Sequence, residues 1–165
     1  TATGVKLALR ELDKFELSLL LTPNEGLTFD AGRLTDLIKK IGGFRIGSYP
    51  SFAHAFATGD VEKTLRKLAP YAPAISASVR GFSKEGAHDG YTLESCIESI
   101  RSVGYGNTLA LDFVGKGDAE KKGARKGAAS VDIVAELDTA RRQLAQLTAP
   151  IEEEEGELAL GEEEE

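Results

Sequence analysis

The sequence predicts a parallel α/β protein, a leading helix followed by four strand-plus-helix units. Three observations carry this. Short apolar runs closed by glycine, proline or an acid alternate with longer stretches whose apolar residues recur every three or four positions. Strands that alternate with helices of about ten or more residues form a parallel sheet with right-handed crossovers, because parallel neighbours need a long return connection. The last such run, at residues 108–118 (TLALDFVGKGD), ends in Asp112, with Gly115 and Gly117 freeing the backbone to turn towards another helix.

In order, Val5, Ala8, Leu9 and Leu12 recur at helical spacing among charged positions, so the chain enters on a surface helix with one buried stripe. Residues 15–22 (FELSLLLT) form an apolar strand closed by Pro23, Asn24, Glu25 and Gly26. Asp30 caps a helix with the stripe Leu34, Leu37, Ile38 and Ile41, stopped by Gly42 and Gly43. Residues 44–48 (FRIGS) give a short strand and 49–60 a long loop carrying Pro50, Phe52, His54 and Phe56. A helix through Val61, Leu65 and Leu68 leads past Pro70 to the strand 74–79 (AISASV) and the loop 80–90. Thr92 caps a helix with the stripe Leu93, Ile97 and Ile100, ended by Gly104. After the strand that begins at Thr108 come a Lys- and Gly-rich linker and an amphipathic helix over 131–147.

Length and composition narrow the function. A chain of 165 residues with 41% hydrophobic content supports one core, so residues 1–149 are expected as one domain and 150–165 as a disordered acidic tail. The net charge of −7 argues against a general nucleic-acid binder, which needs a lysine and arginine excess. Two glutamate runs, 152–155 and 162–165, supply eight of the acids, and without them the body is close to neutral. The single cysteine, Cys96, permits no internal disulfide and reads as a packed small hydrophobe in a reducing, cytoplasmic setting. No apolar run approaches membrane-spanning length, and no signal peptide opens the chain. A chain without methionine that begins at threonine reads as processed, trimmed or part of something longer.

Several segments carry a resemblance. Pro50-Ser51-Phe52-Ala53-His54 after the second strand, Leu68-Ala69-Pro70-Tyr71-Ala72 before the third, and Gly104-Tyr105 leading to Leu111-Asp112-Phe113-Val114-Gly115 resemble the sugar phosphate isomerase/epimerase family, over most of residues 5–147. That resemblance implies a xylose isomerase-like TIM barrel. Such a barrel has eight units in typically about 250 residues, so four units read as a partial barrel, its C-terminal half, with two exposed sheet edges. It also implies a divalent metal (Mn²⁺, Mg²⁺ or Zn²⁺) held by carboxylates and a histidine, and proton transfer between carbons of a hydroxy-carbonyl sugar or polyol. The cation would polarise the carbonyl while a carboxylate removes the adjacent proton. This chain departs from the pattern: the family's aspartate falls on Ser51, its histidine on Ser76, and its glutamate of the last strand is shortened to Asp112.

The candidates follow. Asp112 is a metal ligand and base, or an acid capping the turn after its strand. Glu25, past the first strand, matches the remaining glutamate, although 23–26 is also a turn by composition. His54 supplies a substitute metal ligand or a substrate contact, or is a packing residue; His88, beside Asp89, is a carboxylate-oriented base, or part of a turn. Arg80 and Lys116 hold a substrate phosphate with the amides of Gly115 and Gly117, or Lys116 belongs to a solvated linker. No Walker loop, Cys-x-x-Cys pair or nucleophile elbow is present. Three readings stay open: a metal-dependent isomerase or epimerase, a degraded homologue serving as a structural or regulatory subunit, and a barrel fragment or artificial sequence. The open edges lead us to expect a homo-oligomer or a complementary half-barrel chain.

Overall fold

The computed structural model describes residues 2–83, 85–115 and 132–149. Its elements are α1 (Ala2–Asp13), β1 (Leu19–Leu21), α2 (Ala31–Ile41), β2 (Ile46–Ser48), α3 (Phe52–Ala57), α4 (Val61–Leu68), β3 (Ala74–Val79), α5 (Leu93–Arg101), β4 (Thr108–Phe113) and α6 (Ile133–Thr148). The strands form two parallel pairs, β1 with β2 from Leu19↔Ile46 to Leu21↔Ser48, and β3 with β4 from Ala74↔Thr108 to Val79↔Phe113. Among the described residues a single parallel bridge, Ser51↔Ser76, joins the pairs, and the Ser76 N–H donates to the Pro50 carbonyl at 2.9 Å. The order is therefore β1-β2-β3-β4, each strand beside its sequence neighbour, as in successive units of a parallel barrel.

Local chemistry explains why these segments form these elements. Side chains at five helix entrances accept amide hydrogen bonds: Asp30 from Arg33, Ser51 from His54, Asp60 from Lys63, Thr92 from Ser95, and Asp132 from Val134 and Ala135. Each cap satisfies an amide that the helix itself cannot, worth about 1 kcal/mol. Along β3 the odd residues Ile75, Ala77 and Val79 enter the main core, which α5 closes with Leu93, Ile97 and Ile100. A smaller cluster, Leu34, Ile38 and Leu68, lies under the β1–β2 pair. Gly47 is needed for close approach: a Cβ there would lie 2.7 Å from the Tyr71 carbonyl oxygen.

Some expectations are corrected. The strand expected over 15–22 is in a ladder only at Leu19–Leu21, with Phe15 71% and Leu17 52% exposed, and the one over 44–48 shrinks to Ile46–Ser48 with Phe44 fully exposed. Among the described residues β1 has a neighbour on one side only, so nothing holds its flanks extended. The stripe of α1 is half-buried at Val5, Leu9 and Leu12 and exposed at Ala8, because no second layer covers it. The long loop expected at 49–60 contains α3: Ser51 caps FAHAFA, and Phe52 and Ala55 are buried while Phe56 stays out. Cys96 is buried and its thiol is pushed up to about 12, as suits a packed small hydrophobe. No described helix is long and apolar enough to cross a membrane. Lys116 and the 150–165 tail lie outside the described residues.

Candidate functional site at the carboxyl ends of the strands

Because the odd residues of β3 face the helices, the even ones face the opposite side of the sheet. Ser76 and Ser78 lie there, paired with Ala110 and Asp112 of β4, and Ser51 pairs with Ser76 across the junction. The carboxyl-end face thus carries three hydroxyls and one carboxylate. Ser51 Oγ accepts from the His54 amide at 3.1 Å, and Ser78 Oγ accepts from the Ala53 amide at 2.8 Å. Both anchor the first turn of α3 over the strand ends. Ser76 Oγ is buried and has no protein partner. The Tyr91 hydroxyl donates to the Ser78 carbonyl, and burial pushes that phenol up to about 12.

Asp112 is exposed, one residue before the end of β4. Glu25 is exposed at the start of a 3-10 turn, its side chain caps nothing, and its N–H donates to Asn24 Oδ1 at 2.8 Å. His54 lies on α3, where Nε2–H donates to the Phe29 carbonyl at 2.9 Å, leaving Nδ1 as a buried acceptor with no partner. Its ring meets Phe29 edge-on at 5.2 Å, tying α3 to the turn after β1.

His88 is not oriented by Asp89, as its sequence neighbour led us to expect. Its Nε2 accepts the Arg80 N–H at 2.9 Å and its Nδ1–H donates to the Tyr91 carbonyl at 2.9 Å. Both ring nitrogens are committed to backbone, so the ring clamps the 80–90 loop and has no lone pair left for a substrate proton. The loop is also held by α6, where Glu136 accepts the Phe82 N–H and Gln143 donates to the Gly86 carbonyl, each at 2.9 Å. Arg80 is half-buried at the end of β3, and its guanidinium lies near Gly90, inside this loop. The reading of sequence missed Tyr91, Ser78 and Glu136; a tyrosine after Asp89-Gly90 was the one available signal.

Burial holds both His54 and His88 below the ordinary imidazole value, against the smaller opposing pull of the carbonyls of Phe29 and Tyr91. A folded value below the unfolded one means that the neutral rings favour the native state. Their contribution is complete above the unfolded value near 6.5 and is lost as pH falls from there through the lower folded values. The urea midpoint should stay level above about pH 7 and decline between about pH 6.5 and 5, above the range of the carboxylates. A His54→Gln, His88→Gln double variant should be flatter over that interval. An equal decline in the double variant would rule the histidines out as its source.

Among the described residues, no group of three or more His, Cys, Asp or Glu side chains is placed to hold a metal ion. Asp112, Glu25 and His54 are therefore not brought together as a ligand set. Serine hydroxyls at Ser51 and Ser76 bring no charge to balance a cation. The residues described here do not fit a resident divalent metal.

No protein-family model matches the chain, and no curated protein matches it. In structure it is similar to an L-ribulose 3-epimerase, with a TM-score of 0.60 over 90% of this chain and 18% sequence identity, and it spans 56% of that protein's length. At this identity the likeness speaks to fold alone, a mixed α/β architecture with parallel strands.

Proposed function

We propose that this chain is a sugar isomerase/epimerase-like protein that binds a small sugar or polyol through a hydroxyl-lined barrel mouth and does not turn it over as a single chain. The observation that carries this reading is the row Ser51, Ser76 and Ser78, completed by Asp112 and placed on one face by strand pairing. Asp112 is exposed and Ser51 half-buried, so these two can meet a polyhydroxylated ligand directly, while Ser76 and Ser78 are buried behind the same face. Ser76 Oγ adds one buried atom with unused hydrogen-bonding capacity on this face. Metal-dependent proton transfer, the activity that the resemblance implies, calls for several charged ligands around a cation; Asp112 is the one acid in this row.

Titration calorimetry of the full chain separates the two readings. Mn²⁺ should give no micromolar binding, whereas a panel of ketoses and polyols should include a ligand whose binding is weakened in Asp112→Asn. Micromolar Mn²⁺ binding that disappears in Asp112→Asn would overturn the proposal in favour of the metal-dependent enzyme. A panel with no binder would remove the sugar site.

A further inference from the structure

The two outer edges of the strand row, one on β1 and one on β4, are unpaired among the described residues. Four parallel strands in sequential order are half of what closes a (β/α)₈ barrel. We infer that two copies of this chain close on each other about a twofold axis along the barrel, β4 of each pairing in parallel with β1 of the other. That operation keeps all eight strands parallel, makes the two new junctions identical and leaves no edge.

The edges have the chemistry for this. The Val114 N–H donates to the Val79 carbonyl, so by the alternation of a parallel ladder the even-numbered amides of β4 point to β3 and those of Leu109, Leu111 and Phe113 point outward. Leu111 is 36% exposed on that edge. On the other side, the apolar run 15–22 puts only three residues into a ladder, as expected of a strand that lacks one neighbour. The flanking helices agree. α1 buries no residue, and α6 leaves Val134 76% exposed. α6 starts at the carboxyl end of the sheet, where Glu136 accepts the Phe82 N–H, and α1 ends at the amino end, where Asp13 pairs with Arg45. In the closed pair, α1 of one copy lies over the new junction beside α6 of the other, and their exposed apolar side chains, Leu7 and Val134 among them, cover each other. The junction also sets Asp112 on the strand next to the one that leads to Glu25 of the second copy, so the mouth is incomplete in one chain.

This inference rests on the strand edges and not on the proposed ligand, and its test involves no ligand. Sedimentation equilibrium of the full chain at micromolar concentration should return twice the 17.6 kDa of one copy. The mass of one copy, or a ladder of larger masses, would overturn it. Leu111→Pro removes an outward amide while leaving the β3–β4 ladder intact, and should yield a monomer with unchanged circular dichroism. Should that variant not fold, Val134→Lys, at a position too exposed to unfold the chain, should weaken the dimer by at least about tenfold. Hydrogen exchange should find the amides of Leu109, Leu111 and Phe113 protected in the wild type. A dimer untouched by either variant, or one with those amides unprotected, would sink the two-copy barrel.

Discussion

Phe52→Ala is expected to leave the chain at the margin of folding. Phe52 is 0% exposed, the largest fully buried side chain, and it follows directly on the one bridge that joins the two strand pairs. Emptying a buried phenylalanine site costs about 3–5 kcal/mol, because apolar contact is lost and a cavity remains. Domains of this size hold roughly 5–15 kcal/mol in total. The urea midpoint should fall by roughly 2 M at a typical slope for a small domain. Phe56→Ala is the control: it lies one turn away on α3, is 39% exposed, and should shift the midpoint far less. Equal shifts would mean that α3 is not seated in the core as described.

The second large effect is a gain. Ser51→Asp combined with Ser76→His should give the mouth three ligands with Asp112, from β4, β3 and the residue that caps α3. Aspartate serves as well as serine at a helix N-cap, so the first change leaves the entrance of α3 intact. The second overfills a site that is 2% exposed and should cost about 1–3 kcal/mol of stability. Mn²⁺ affinity should rise from the millimolar range of a lone carboxylate to the micromolar range, on the order of 10³-fold, and return to the starting level when Asp112→Asn is added. A folded double variant that binds no better than the wild type would mean that these positions do not converge, and would count against the ligand positions that the sequence resemblance implies at Ser51 and Ser76.

What was legible in the sequence follows a physical line. β3 and β4 appear where their runs begin, because Ala74–Val79 alternates between core and mouth and Thr108–Phe113 lies directly beside it. The caps at Asp30 and Thr92 were legible because a cap is a local event, a side chain answering an amide three residues on. α3 was not, since six residues rich in alanine and phenylalanine present too few turns for a helical period. The role of His88 escaped for another reason: its partners, the Arg80 amide and the Tyr91 carbonyl, are backbone groups that the folding of a loop brings to it, and the adjacent Asp89 was the more visible candidate. Of the site, the strand-end position of Asp112 could be read. That Ser51, Ser76 and Ser78 share its face could not, because it depends on register between strands.

The two apolar clusters have a consequence for how the molecule comes apart. The β1–β2 unit rests on Leu34, Ile38 and Leu68 and their half-buried neighbours, whereas the rest of the chain shares the larger cluster, and one rung connects the strands of the two. Rupture of that rung, together with the His54–Phe29 contact and the packing of α2 on α4, frees the first unit while the second keeps its own interior. The first stage of loss is then a partial opening at the amino-terminal end, in which the already bare Phe44 turn becomes a substrate for proteases before β3, β4 and α5 give way.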